Sequence, residues 1–179
     1  CCGSGTIPIE AAMIGRNIAP GLNRSFACQD WELIEKDIWK EEKKAAFEAI
    51  DYDVELDIAG YDINRKAVEA ARQNAEEAGV DDCIVFKQVD AAKLRTEQHN
   101  GIIITNPPYG ERIGEEKEIQ RIYRGFERFF KKNPDWSLFM ITIDKEVEEQ
   151  IMGRKADRRR KLYNGRLETC YYQFHGERK

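Results

Sequence analysis

Histidine is scarce in this chain, and cysteine never falls into metal-binding spacing. His99 and His175 are the only histidines, and the five cysteines (Cys1, Cys2, Cys28, Cys83 and Cys170) include no C-x-x-C pair. A zinc site draws on clustered thiolates and imidazoles, so no metal is expected. An odd cysteine count without framework spacing points to reduced thiols and a cytoplasmic setting. No apolar run approaches the roughly 20 residues of a membrane helix, and no signal peptide is visible, so no membrane partner is expected. Positive charge is also lacking: 29 Lys and Arg against 33 Asp and Glu leave a net charge of −4. No global field recruits nucleic acid, and any such affinity must be local or supplied by a further region. The sequence carries no internal repeat, low-complexity stretch or internal linker.

What is present is enough for one ordinary domain. The chain has 179 residues, 41% hydrophobic and 35% charged, which fits a globular protein with a real core and argues against disorder. It opens on Cys1-Cys2-Gly3-Ser4-Gly5-Thr6, which already reads as a loop. The expectation is therefore a single domain over 1–179 that lacks at least one strand ahead of that loop.

Periodicity sets the order of elements. Thr6 with Pro8 starts a helix that fades near Gly15 or at Ala19-Pro20-Gly21. The second half of 22–50 reads as an amphipathic helix, with Trp31 and Trp39 packing this insert down. Leu56 to Ile63 reads as a strand ending in an acid. Asn64 caps a helix from Lys66 to Ala78, and Gly79 closes it. Ile84 to Asp90 and Ile102 to Thr105 are the next strands. A helix over Ile119–Phe130 turns its phenylalanines inward, and a strand over Ser137–Ile143 precedes a helix over Lys145–Met152. Arg158–Tyr163 and Leu167–Phe174 flank Asn164-Gly165, a strong hairpin signal. The fold class is α/β: a Rossmann-like, mostly parallel sheet with helices on both faces and a C-terminal antiparallel hairpin.

Chemistry gathers where the strands end, the edge at which open α/β sheets bind ligands. The strongest signal is Ile102-Ile103-Ile104-Thr105-Asn106-Pro107-Pro108-Tyr109. Two prolines stop the strand, which leaves Asn106 and Tyr109 on rigid backbone. The Asn106 carboxamide and the Pro107 carbonyl are acceptors for an exocyclic base amine, and Tyr109 offers a stacking face. Pro108 completes the rigid turn. A proline-stopped strand with a core tyrosine is the plain alternative. Gly3, Ser4 and Gly5, between Cys2 and Thr6, open a helix whose N–H groups fit a phosphate or carboxylate, although a simple tight turn would look the same. Neither the phosphate-loop nor the dinucleotide glycine spacing is met. Asp62 can accept both hydroxyls of a ribose, with Ile63 against a purine. Asp90, beside Ala91, can accept an adenine amine. A turn or helix cap would equally explain either acid.

These residues resemble a known family. Cys2-Gly3-Ser4-Gly5 looks like the S-adenosylmethionine loop of class I methyltransferases, and Asp62 and Asp90 look like its ribose and adenine acids. Asn106 to Tyr109 resembles the catalytic motif of amino-methyltransferases. Ile18-Ala19-Pro20-Gly21 through Asp30-Trp31, and Asn106-Pro107-Pro108-Tyr109-Gly110-Glu111-Arg112, resemble the methyltransferase domain of THUMP-containing guanine-N2 enzymes acting on large-subunit ribosomal RNA. The resemblance implies S-adenosylmethionine as cofactor, with Cys2, Gly3, Ser4, Gly5, Thr6, Asp62, Ile63, Asp90, Ala91 and Asn106 around it. It implies Asn106, Pro107, Pro108 and Tyr109 as the catalytic set and ribosomal RNA as partner, bound through an upstream RNA-binding domain. The base would be unpaired or flipped, since guanine N2 is buried in a duplex. The chain departs from the family in lacking the Asp-Pro that usually precedes the glycine loop.

Other chemistries keep the same logic: adenine-N6 methylation of DNA or RNA, and glutamine-N5 methylation of protein. A non-catalytic RNA-binding scaffold is the alternative from another class. The run Arg154-Lys155-Ala156-Asp157-Arg158-Arg159-Arg160-Lys161 is a local basic patch that suits phosphates, or equally a charged edge strand that blocks aggregation. Glu111 and Arg112 are candidates for the ring edge of the base, or for pairing with each other.

Overall fold

In the computed structural model, residues 1–109 and 115–177 are described. Four α-helices and six strands appear among them: α1 (Thr6–Gly15), α2 (Lys36–Glu48), β1 (Ile58–Asp62), α3 (Arg65–Ala78), β2 (Ile84–Gln88), β3 (Ile102–Thr105), α4 (Glu115–Lys132), β4 (Ser137–Thr142), β5 (Arg158–Asn164) and β6 (Leu167–Phe174). β1 and β2 run parallel, with Ile58 opposite Ile84 and Asp62 opposite Gln88. β3 and β4 are also parallel, and β6 then joins antiparallel, followed by β5, in the order β3-β4-β6-β5. Among the described residues the two sets of strands share no ladder.

Each sheet owns a core. Under β1 and β2, Ile84 and Phe86 meet Ile9 and Ala12 of α1 and Val68, Ala71 and Ala75 of α3. Asn64 caps α3, its side chain accepting from Lys66 N, and Gly79 ends it in the left-handed region. Under the larger sheet, Ile119, Ile122, Tyr123, Phe126, Phe129 and Phe130 of α4 pack on Leu138, Met140, Tyr172 and Phe174. Their spacing by three and four residues is one helix face. Each such side chain, fully buried, contributes roughly 1.5–3 kcal/mol. Cys1 packs against this second core and Cys2 against the first, so the opening residues stand between the two. α4 also crosses close to the turn after Asp90. A Cβ on Gly125 would lie 2.4 Å from the Ala92 Cα, so only glycine permits that approach.

Three local expectations shift. The helix expected over Lys145–Met152 is a π-helical turn, Glu148–Met152. Asp144 intervenes, its Oδ1 accepting from Glu146 N at 2.8 Å and holding the chain in a side-chain turn. The hairpin loop is Gly165-Arg166, because Asn164 pairs with Leu167 and belongs to the strand. In the insert, Trp39 is half-buried and its ring packs 5.8 Å from that of Phe26, whereas Trp31 is 60% exposed and packs little down.

Candidate active site

The loops after β1, β2 and β3 meet, together with the chain's opening loop, around a hollow of about 250 Å³. Its lining includes Cys1, Gly3, Asp62, Ile63, Asp90, Ala91, Asn106 and Pro108. Residues far apart in sequence are thus brought together: parallel β1 and β2 carry Asp62 and Asp90 to one edge, and the loop after β3 meets them at the hollow.

The opening loop is tied to β1. Cys2 N donates to Tyr61 O at 2.8 Å, and Gly3 N donates to Asp62 Oδ2 at 3.0 Å. Asn74 Nδ2 donates to Ser4 O at 2.8 Å, which anchors the far side of the turn to α3. Gly5 faces inward: its φ is +88°, and a Cβ there would meet the Ala71 Cβ at 3.0 Å. This glycine closes α1 onto α3, while Gly3 borders the hollow. No side chain caps α1, so its first N–H groups stay open to a ligand. Cys2, Ser4, Gly5 and Thr6 form the turn behind Gly3. Burial pushes the Cys2 thiol up, which keeps it neutral.

Both acids divide their oxygens. Asp62 Oδ1 accepts from Asn64 N at 2.9 Å, and Oδ2 accepts from Gly3 N at 3.0 Å. Burial works against the charge of Asp62, but the Asn64 and Gly3 N–H groups outweigh it and hold the carboxyl below its ordinary value. Asp90 Oδ1 accepts from Ala92 N at 3.0 Å, capping the short helical turn Ala91–Lys93. Its Oδ2 receives Arg121 Nη1 at 2.5 Å, and that guanidinium is the main reason its pKa is depressed. Capping and ligand binding are not exclusive here: a carboxylate has about four acceptor sites, and backbone donors occupy only part of them.

On the acceptor side, Asn106 and Pro108 are exposed, Pro107 is fully buried, and Tyr109 is half-buried. The buried Pro107 ring pins the turn, with Asn106 and Pro108 left at the hollow. The Tyr109 hydroxyl accepts from Asn164 Nδ2 at 3.4 Å, so the hairpin tip touches the loop. Glu111 and Arg112 lie outside the described residues.

Three lining residues come from α4 and escape sequence reading: Glu118, Arg121 and Ile122. Nothing in their spacing ties them to loops some thirty residues earlier. The only hint is the Glu118–Arg121 pair on the helix flank, with Arg121 Nη2 3.9 Å from Glu118 Oε1. No grouping of three metal-binding side chains occurs among the described residues, and no described helix is long and apolar enough to cross a membrane.

Comparison with known proteins places this geometry. The family model described as UPF0020, RMKL-like methyltransferase domain, matches residues 1–173. YpsC of Bacillus subtilis (strain 168) is 47% identical over 173 residues, covering 97% of this chain and 45% of YpsC. Ribosomal RNA large subunit methyltransferase K/L of Shewanella baltica (strain OS185) is 39% identical over 175 residues, covering 95% of this chain and 24% of that protein. The crystal structure of SMU.472 complexed with SAH superposes with a TM-score of 0.92 at 45% identity, over 99% of this chain and 47% of that one. The chain thus spans less than half the length of these relatives.

Proposed function

The chain belongs to the UPF0020 family of RMKL-like methyltransferase domains, and from that premise we propose that it transfers a methyl group to an exocyclic base amine, N2 of a guanine in large-subunit ribosomal RNA. The cofactor is S-adenosylmethionine. The observation that carries the reading is one hollow shared by Gly3, Asp62, Asp90 and Asn106. It brings the glycine loop at the start of α1, two carboxylates and an acceptor amide to one place.

The residues suit the cofactor. Gly3 and the open start of α1 would hold its methionine end, Asp62 its ribose hydroxyls, Ile63 and Ala91 its purine, and Asp90 the adenine amine. The cofactor supplies a methyl group made electrophilic by its sulfonium. Asn106 and the Pro107 carbonyl accept from the substrate amine, which localises the nitrogen lone pair and stabilises the positive charge it acquires. Tyr109, which follows directly after Pro108, would supply the stacking face. As the transfer leaves a neutral thioether, the methylated nitrogen gives up one of its own two protons to water, so no strong base is needed. Much of the rate comes from alignment, worth effective molarities of about 10⁵ M or more.

The test is methyl transfer from tritiated cofactor by the full-length protein onto ribosomal RNA, DNA and protein. N2-methylguanosine in digested large-subunit RNA is the expected product. N6-methyladenine or methylated glutamine would overturn the substrate, and calorimetry without cofactor binding would overturn the enzyme reading in favour of a scaffold.

Arg121 competes for Asp90 in this arrangement. The adenine amine and the Arg121 guanidinium would meet at the Asp90 carboxylate, and Arg121 is 44% exposed, so the pair is only a weak lock. Arg121→Ala is expected to tighten cofactor binding modestly, by at most about fivefold, because an exposed ion pair holds its carboxylate only weakly. Calorimetric titration checks this, and weaker binding would mean that Arg121 itself holds the cofactor.

A further inference from the structure

The basic run of β5 has two unlike faces. Between 154 and 166 the sequence places seven cations against a single acid, Asp157, in a chain of net charge −4. Side chains alternate along a strand, so Arg158, Arg160 and Asn164 share one side and Arg159, Lys161 and Tyr163 the other. The second side is neutralised at home. Arg159 Nε lies 3.4 Å from Glu148, and Lys161 Nζ lies 2.7 Å from Glu168. On the first side, Arg158 and Arg160 have no carboxylate partner among the described residues, and both are exposed. Asn164, at the end of that same row, donates to the Tyr109 hydroxyl at 3.4 Å. Arg166 is exposed in the loop that follows. The unpaired positive row therefore runs along the hairpin and ends on the loop that receives the acceptor base.

We propose that this face of the β5–β6 hairpin is the track for the RNA strand flanking the target base, with Arg158, Arg160 and Arg166 on its phosphates. Asn164 is a positioning residue that fixes the Tyr109 hydroxyl. The inference rests on the base-amine reading above and adds the surface that delivers the base. RNA is chosen by charge complementarity: in a chain of net charge −4, Arg158, Arg160 and Arg166 put three exposed cations without a carboxylate partner among the described residues on one hairpin that leads to the site. Phosphates, unlike an acidic protein face, repeat along that hairpin at every nucleotide.

The test compares two double variants that remove the same charge. Arg158→Ala with Arg160→Ala is expected to raise KM for ribosomal RNA about tenfold. It should also flatten the slope of log affinity against log salt by about 1.4, near 0.7 for each single-strand phosphate no longer neutralised. Arg159→Ala with Lys161→Ala is expected to stay within about twofold of wild type. Cofactor affinity and kcat at saturating RNA should hold in both, and the lysine pair Arg158→Lys with Arg160→Lys should restore binding. Asn164→Ala is expected to lower kcat with KM little changed. Equal losses in the two double variants would mean bulk charge alone and would overturn the track, as would an unchanged KM in the first. Failure of the underlying reading shows separately, in the wild type: methylation of DNA or protein in place of RNA would overturn both together.

Discussion

Asn106→Ala is expected to lower kcat for methyl transfer by about 10²- to 10³-fold, the cost of removing one preorganised partner of a charge that develops in the transition state. Cofactor affinity should stay within about threefold. The asymmetry follows from position. Asn106 leaves β3 directly after the buried Thr105 and before the buried Pro107, so its backbone is clamped on both sides while its side chain stays at the hollow. Alanine keeps that backbone and deletes only the amide. Asn106→Asp is the informative companion, because it retains one acceptor oxygen at the same place and should recover part of the rate. Single-turnover transfer to ribosomal RNA by the full-length protein, alongside calorimetry, separates the two effects. Unchanged turnover in the alanine variant would remove Asn106 from the reaction, and a large loss of cofactor affinity would make it a cofactor residue.

The sequence shows the strand ends more clearly than the surroundings they create. Asp62, Asp90 and Asn106 each follow a short apolar run. Parallel pairing of β1 with β2 brings the two acids to one edge, and the shared hollow brings Asn106 to them. Whether the acids serve as caps or face a ligand cannot be separated by pattern, because each does one with Oδ1 and leaves the other oxygen toward the loop or the hollow. The glycine loop reads correctly as a turn, but pattern alone cannot distinguish Gly3 at the hollow from Gly5 against Ala71. That distinction depends on where α3 packs. Arg121 and Asn164 lie beyond sequence reasoning for the same reason. Their partners, Asp90 and Tyr109, are 31 and 55 positions away, and only the packing of α4 and the reach of the hairpin bring them together. The hairpin itself is legible, yet its loop slides by one residue, since strand pairing extends to Asn164.

The second large effect is expected at Asp62. Its two oxygens serve Gly3 N and Asn64 N, so one carboxylate positions the opening loop and the start of α3 together. Asp62→Ala strands both donors and removes the proposed ribose acceptor. Hydrogen bonds to charged groups contribute roughly 1.5–3 kcal/mol, so cofactor affinity should fall about 10²-fold, with a smaller loss of thermal stability. Adenosine separates the causes, because it carries the ribose and lacks the methionine end. A comparable loss for adenosine supports direct ribose contact, whereas unchanged adenosine binding would confine Asp62 to ordering the glycine loop. The pH dependence has a fixed sign. The folded carboxyl titrates below its ordinary value, so its stabilisation is present above the unfolded pKa of about 3.9. It is lost as pH falls through the folded value. The stability gap between wild type and Asp62→Ala should therefore be level above about pH 5 and narrow below about pH 4. A gap that widens on acidification, measured by denaturant unfolding, would show that the carboxylate is not held by these N–H groups.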